Sequence, residues 1–243
     1  MHSGKTGLSQ AMRIYVAAVI AAGALVFTVS VPREYAQPAL AFTWLAAMLV
    51  VSLFKLRLPL GRGEATMSMA YVIDFAVLVT AGAGLAMVIA AAGVLVQCLV
   101  RVRRRQPWYR TAFSVAAVVL AVQTAGWVWS ALGGTMAVPG LLTTIVPLAL
   151  AAAAYFAVNT GLVAAAIAVS TSQAPVRTWQ DDFARTAPAL LVAAGAGIVL
   201  QLLLTREMYL LVPVAAVPLV MCHVAYAAWF RRLAEHMPAP AMT

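Results

Sequence analysis

Charged residues in this chain fall at the breaks between long apolar runs, and their signs are not evenly shared between those breaks. Threading the chain through a bilayer with its N-terminus inside gathers 14 of the 16 Lys and Arg residues on that side. They are Lys5, Arg13, Lys55, Arg57, Arg62, Arg101, Arg103, Arg104, Arg105, Arg110, Arg177, Arg185, Arg231 and Arg232. The other side keeps Arg33 and Arg206, each beside an acid, Glu34 and Glu207. Such an asymmetry orients helical membrane proteins. Composition agrees: 64% of residues are hydrophobic and 9% are charged, with a mean hydropathy of +0.95. A soluble core does not need so much apolar surface, whereas each span needs about twenty apolar residues.

The apolar runs are 13–31, 38–54, 68–81, 84–100, 110–132, 139–170, 186–204 and 208–230. The stretch from Met69 to Val100 would be about 48 Å long as one helix, against a hydrocarbon core of about 30 Å. It would also carry Arg101–Arg110 to the outside. A break at Ala81-Gly82-Ala83-Gly84, where two glycines weaken the helix, keeps those arginines inside. The run 139–170 is equally long, and Pro147 marks a kink whose freed carbonyl a neighbour must satisfy. Counted once, it gives an all-α polytopic membrane bundle of about eight transmembrane helices with both termini cytoplasmic. Residues 1–12 form a short cytoplasmic segment, 13–232 the transmembrane domain, and 233–243 a short cytoplasmic tail. The first helix has no clean cleavage site and reads as a retained anchor in a bacterial inner membrane.

Small residues recur every four positions at Ala149, Ala153, Ala157, Gly161 and Ala165, and again at Ala189, Ala193 and Gly197. Such stripes let helix backbones approach in lipid. Internal packing of the bundle is the simpler reading; a face for a partner or a second copy is the other. Cys98 and Cys222 lie within helices and read as small apolar packing residues rather than disulfide partners.

Asp74 is the acidic residue inside an apolar run. Buried alone in hydrocarbon it would cost several kcal/mol, so it must find a partner or a proton. One reading pairs it with Arg101, Arg103, Arg104 or Arg110 to pin a helical hairpin; the other makes it a ligand contact. Gln97, Gln123, Asn159 and Gln201 add polar groups within spans, each a candidate ligand contact or an interhelical hydrogen bond. His223 beside Cys222 makes a poor metal pair, because adjacent helical residues point about 100° apart. Arg101, Arg103, Arg104 and Arg105, followed by Trp108, Tyr109 and Arg110, read as a topology signal at anionic headgroups and as a surface for lipid or a partner protein. So short a loop does not suit nucleic acid. No nucleotide-binding loop, metalloprotease signature or nucleophile elbow is present, which leaves no catalytic residue to assign and no cofactor to name.

The stretch Leu58-Pro59-Leu60-Gly61 through Ser68, the Asp74 helix, the Arg-rich loop with Trp108-Tyr109-Arg110 and Phe113, and Tyr155-Phe156-Ala157-Val158-Asn159-Thr160 with Trp179 together resemble a known region. It is the N-terminal multi-helix membrane region of bacterial HD-GYP and diguanylate-cyclase signalling proteins, over about residues 40–230. Those proteins continue into a catalytic output domain beyond the position of Arg231-Arg232-Leu233-Ala234-Glu235-His236. The resemblance therefore implies a non-enzymatic membrane module that senses or binds a ligand and acts through a membrane or cytoplasmic partner. A fainter similarity, to substrate-binding subunits of energy-coupling-factor transporters, implies a small-molecule transport component. A structural subunit of a larger membrane complex is the third reading. A transporter should show a solvated pocket lined by Gln97, Asn159, Gln123 or Gln201; a structural subunit should show a dry bundle.

Overall fold

The structure, a computed structural model, describes residues 9–34, 37–53, 55–60, 63–68, 70–100, 107–137, 140–171, 174–182, 187–208, 210–212, 220–221, 224 and 228. Its elements in chain order are α1 (Gln10–Ser30), α2 (Pro38–Ser52), β1 (Lys55–Leu60), β2 (Gly63–Ser68), α3 (Ala70–Leu99), α4 (Trp108–Ala131), a π-turn (Leu141–Ile145), α5 (Val146–Thr171), α6 (Pro175–Asp182) and α7 (Ala187–Thr205). Among the described residues four stretches are long and apolar enough to cross a membrane: Gln10–Ser30, Ala70–Leu99, Trp108–Ala131 and Leu141–Thr171. Pro38–Ser52 and Leu190–Thr205 are shorter apolar helices. The last expected span, 208–230, and the tail lie almost wholly outside the described residues.

Helix α3 is two helices in one. Gly82 breaks it with φ 82° and ψ 171°, a backbone conformation that only glycine adopts without strain. The packing shows that the chain turns back there. Gly84 lies against Ser30 and Pro32 at the end of α1, and Gly93 lies against Met48 and Ser52 at the far end of α2. Since α1 and α2 are joined through residues 31–37, the segment from Gly84 to Gly93 must run away from that joined end. The preceding half runs towards it, because Leu78 and Ala83 both meet Gly126, near the end of α4. We call this end, which gathers residues 31–37, Gly82 and the α4–α5 connection, the turn end. The opposite end, where α1 and α4 begin with Arg13 and Arg110, is the basic end. The first half of α3, residues 70–81, is about 18 Å long, shorter than a bilayer core.

Between α2 and α3 the chain forms a two-stranded antiparallel ribbon, registered from Lys55↔Ser68 to Leu60↔Gly63. This ribbon was not foreseen in the all-α reading; every other described element is helical. The signal was present in the strict alternation Lys-Leu-Arg-Leu-Pro-Leu, a period of two.

Helix α5 begins with the π-turn. Pro147 has no N–H to offer the carbonyl of Thr143, and the backbone N–H of Thr135 donates to that carbonyl instead, at 2.8 Å. The Thr144 hydroxyl donates to the carbonyl of Thr135 at 2.6 Å, so the connection is tied to the helix it precedes. The expected kink is thus absorbed by a π-turn and a clamped loop.

The core is packed with small side chains. Ala76, Ala86, Ala121, Ala125, Ala151 and Ala152 are fully buried between α3, α4 and α5, and Gly197 of α7 lets its backbone approach Val72 and Ala76 to about 3.0 Å from where a Cβ would stand. A smaller cluster of Val16, Val19, Phe113, Ala116 and Ala166 holds α1. The expectation of internal packing for the stripe Ala149–Ala165 does not hold at its first half. Ala149, Ala153 and Ala157 are exposed, and nothing lies within 4 Å of a Cβ built on Gly161. Ala151, Ala152 and Tyr155 take the buried face instead. In a chain with alanine on every face, four-residue spacing does not choose the face. On α4, Trp108 and Trp127 are exposed by 77% and 58% and lie about 28 Å apart along the axis, which places one aromatic at each boundary of a hydrocarbon core.

Substituting Gly82 tests the reversal. Nothing lies within 4 Å of a Cβ built there, so Gly82→Ala creates no clash and acts through the backbone alone. The cost expected is about 1–3 kcal/mol in equilibrium unfolding from detergent. Gly195→Ala, equally free of clash in a regular helix, should be neutral or slightly stabilising. Equal effects at the two sites would remove the strained turn.

Candidate functional site

Tyr71, Asp74 and Phe75 stand at i, i+3 and i+4 on the first half of α3, and so share one helical face. Tyr155 of α5 is inserted into that face. Its ring lies 5.6 Å from the Tyr71 ring, edge-on at 81°, and 5.5 Å from Phe75 at 57°. Offset and edge-on aromatic pairs of this kind add to the stabilisation from burial. Tyr155 is 1% exposed and Asp74 5%.

The Tyr155 hydroxyl donates to Asp74 Oδ2 at 3.4 Å. That is long for an O–H···O bond, so its contribution is small. Asp74 Oδ1 is buried with no hydrogen-bond partner among the described residues. An oxygen of a buried carboxyl left without a partner is costly unless the group takes up a proton or a donor reaches it. Trp44 Nε1 and Gln123 Oε1 are also buried without partners, but on α2 and α4.

The expected ion pair of Asp74 falls largely on residues outside the described ones. Arg101, Arg103, Arg104 and Arg105 lie outside the described residues, and Arg110 is exposed at the start of α4. Among the described residues the hydrogen-bond partner of Asp74 is a tyrosine on α5. Tyr155 lies seven residues above Leu162, whose carbonyl accepts from Tyr15 near the basic end at 2.8 Å. The carboxyl is therefore about 10 Å inside that level.

The other polar residues do not converge on Asp74. Gln123 is buried one turn from Gly126, towards the turn end. Gln201 donates to Thr205 within the last turn of α7 at 2.9 Å. Asn159 is half-buried one turn below Tyr155. Gln97 is half-buried near the end of α3 and is not free. Trp108 and Tyr109 touch edge-on at 6.4 Å between ring centres, with Tyr109 half-buried and Trp108 facing outward. Cys98 is half-buried, while Cys222 and His223 lie outside the described residues.

Two participants were not singled out from the sequence. Tyr71 and Phe75 were readable in the spacing Tyr71-x-x-Asp74-Phe75, which places two rings beside an acid. Trp179 sits in helix α6. Its indole N–H donates to the Thr160 hydroxyl at 2.7 Å and its ring lies 5.8 Å from Phe156, pinning α6 to α5.

Truncating Tyr155 separates packing from hydrogen bonding. Tyr155→Phe should cost under about 1 kcal/mol, as interhelical hydrogen bonds in membranes average about 0.6 kcal/mol. Tyr155→Ala should cost about 3–5 kcal/mol, as expected for an emptied aromatic site. Reversible unfolding in mixed micelles measures both, and equal losses would show that the hydroxyl, not the ring, carries the contact.

Comparison with curated proteins and with solved structures found no match. The MASE9 family model matches residues 25–230, from within α1 to beyond α7, and so takes in Tyr71, Asp74, Tyr155 and Trp179. A membrane-embedded helical bundle with this match belongs to the MASE9 family, one of the membrane-associated sensory domains.

Proposed function

We propose that this chain is a sensory module of a bacterial inner membrane that binds a ligand at the Asp74–Tyr155 contact and acts through a partner, without catalysis of its own. The observation that carries this reading is Asp74 Oδ1, buried and without a donor among the described residues in the middle of an apolar bundle. Its aromatic surround and its place between two helices suit a site that changes when a donor arrives. The family assignment supports the sensory part.

The topology that goes with it has eight spans and both termini in the cytoplasm, with the basic end inside. The reversal at Gly82 supports two of those spans, and the exposed Arg13 and Arg110 support the orientation. The partner side is the basic end, where Trp108, Tyr109 and Arg110 begin α4, together with the outward face of α5 that carries Ala153, Ala157 and Gly161. The output is of HD-GYP or diguanylate-cyclase type, as the sequence resemblance suggests.

Reporter fusions at Arg103 and after Thr243 should both read as cytoplasmic; a periplasmic Arg103 would overturn the eight-span threading. The functional test is purification in mild detergent with mass spectrometry of what comes along. Wild type should retain a small molecule and a partner protein, and Asp74→Asn, folded to the same melting temperature, should lose the small molecule. Retention by Asp74→Asn, or turnover of a substrate by the purified chain alone, would sink the proposal.

A further inference from the structure

Helix α5 is tied to the rest of the protein at three depths. At the turn end the Thr143 carbonyl and the Thr144 hydroxyl hold the backbone of Thr135, at 2.8 and 2.6 Å. In the middle Tyr155 meets Asp74 at 3.4 Å. Towards the basic end Thr160 accepts from Trp179 at 2.7 Å, Phe156 packs on the Trp179 ring, and the Leu162 carbonyl accepts from Tyr15 at 2.8 Å. From Thr143 to Leu162 is about 28 Å of continuous helix, close to the thickness of a hydrocarbon core.

We propose that α5 is a relay, which transmits a change at the Asp74–Tyr155 contact to helix α6 at the basic end. A helix does not bend appreciably over five residues. Tyr155 and Thr160 are about 7–8 Å apart along the axis and about 140° apart around it. Any rotation or slide that withdraws Tyr155 from Asp74 therefore carries Thr160 and Phe156 across Trp179, on another side of the helix. The contact being broken is the long one, 3.4 Å against 2.7 Å at Trp179, so the middle tie yields first. The outward face of α5 offers little resistance, since Ala153 and Ala157 are exposed and Gly161 meets nothing within 4 Å. The π-turn at its start is a helical irregularity of the kind that absorbs such a shift. The relay rests on the proposed function for what drives the movement, but the coupling itself needs no ligand.

Spatial continuity is not coupling, so the test measures coupling directly. Hydrogen exchange by mass spectrometry is followed on the intact chain in nanodiscs, for wild type, Tyr155→Phe and Trp179→Phe. Tyr155→Phe removes only the hydroxyl, and should speed exchange of the amides of residues 175–182 by about two- to threefold, the most that the loss of one such bond can transmit. Trp179→Phe, which keeps a ring but removes the indole N–H, should speed exchange in residues 70–78 by a similar factor, because coupling between sites is reciprocal. Residues 108–131 of α4 should not change in either variant. If Tyr155→Phe fails to fold, Asp74→Leu, which has no acceptor, breaks the same contact from the other side and is read on the same peptides. Unchanged exchange in 175–182, or equal acceleration in every helix, would overturn the relay. Loss of ligand in Asp74→Asn with no change in 175–182 in Tyr155→Phe would sink the relay alone; coupled exchange with no ligand found would spare it and sink the function proposed above.

Discussion

Helix backbones in this bundle approach until there is room for hydrogen or methyl side chains and little else. Lipid tails are as apolar as the side chains they surround, so no hydrophobic force presses the helices together, and contact must come from van der Waals packing. Gly23 lies against Ala116, Gly126 against Ala83, Gly93 against Met48, and Gly197 against the backbone of Val72 and Ala76. The buried alanines of α3, α4 and α5 continue the same surface. Where backbones approach this closely little room is left for solvent, so polar atoms at those contacts depend on partners within the bundle.

Against that background Asp74 stands out by what surrounds it. Serines and threonines within the helices resolve their hydroxyls locally: Thr80 donates to the Ala76 carbonyl at 2.7 Å and Thr124 to Leu120 at 2.8 Å. Those bonds cost the fold nothing in long-range arrangement. Asp74 has no such local solution, since a carboxylate accepts and the helix offers few free donors beyond its first turn. Its single described donor is the hydroxyl of Tyr155, 81 positions along the chain and held by stacked rings more than by the hydrogen bond. A polar group satisfied only in part, at the junction of two helices, gives a membrane-associated sensory domain a place where a small binding energy meets a structural choice.

Pro147 and Gly82 show two ways of breaking a long apolar run. Gly82 reverses the chain because its backbone enters a region that side chains forbid. Pro147 leaves the chain running on, because the carbonyl it strands is taken by Thr135 and the π-turn absorbs the misfit. Length alone made the two runs look alike, at 30 and 31 residues. The charges settled which must turn: the Arg101–Arg110 cluster demands a reversal before it, and no comparable cluster follows 139–170.

What the sequence by itself determined is the solvent and the rhythm of the chain. Apolar runs, charge asymmetry and the Gly82 break follow from the cost of exposing backbone and charge to hydrocarbon, which holds whatever the helices touch. Asp74 was legible as unusual for the same reason. What only the tertiary structure decided is direction. The stripe Ala149–Ala157 turns outward and Ala151, Ala152 and Tyr155 turn in, since four-residue spacing recurs on every face of an alanine-rich helix. That Tyr155 of α5 meets Asp74 was decided by packing, which sets the carboxyl about two turns inside the level of Tyr15 and Leu162. Charge and composition are properties of residues one at a time, whereas a contact between Asp74 and Tyr155 exists only once two helices have been laid side by side.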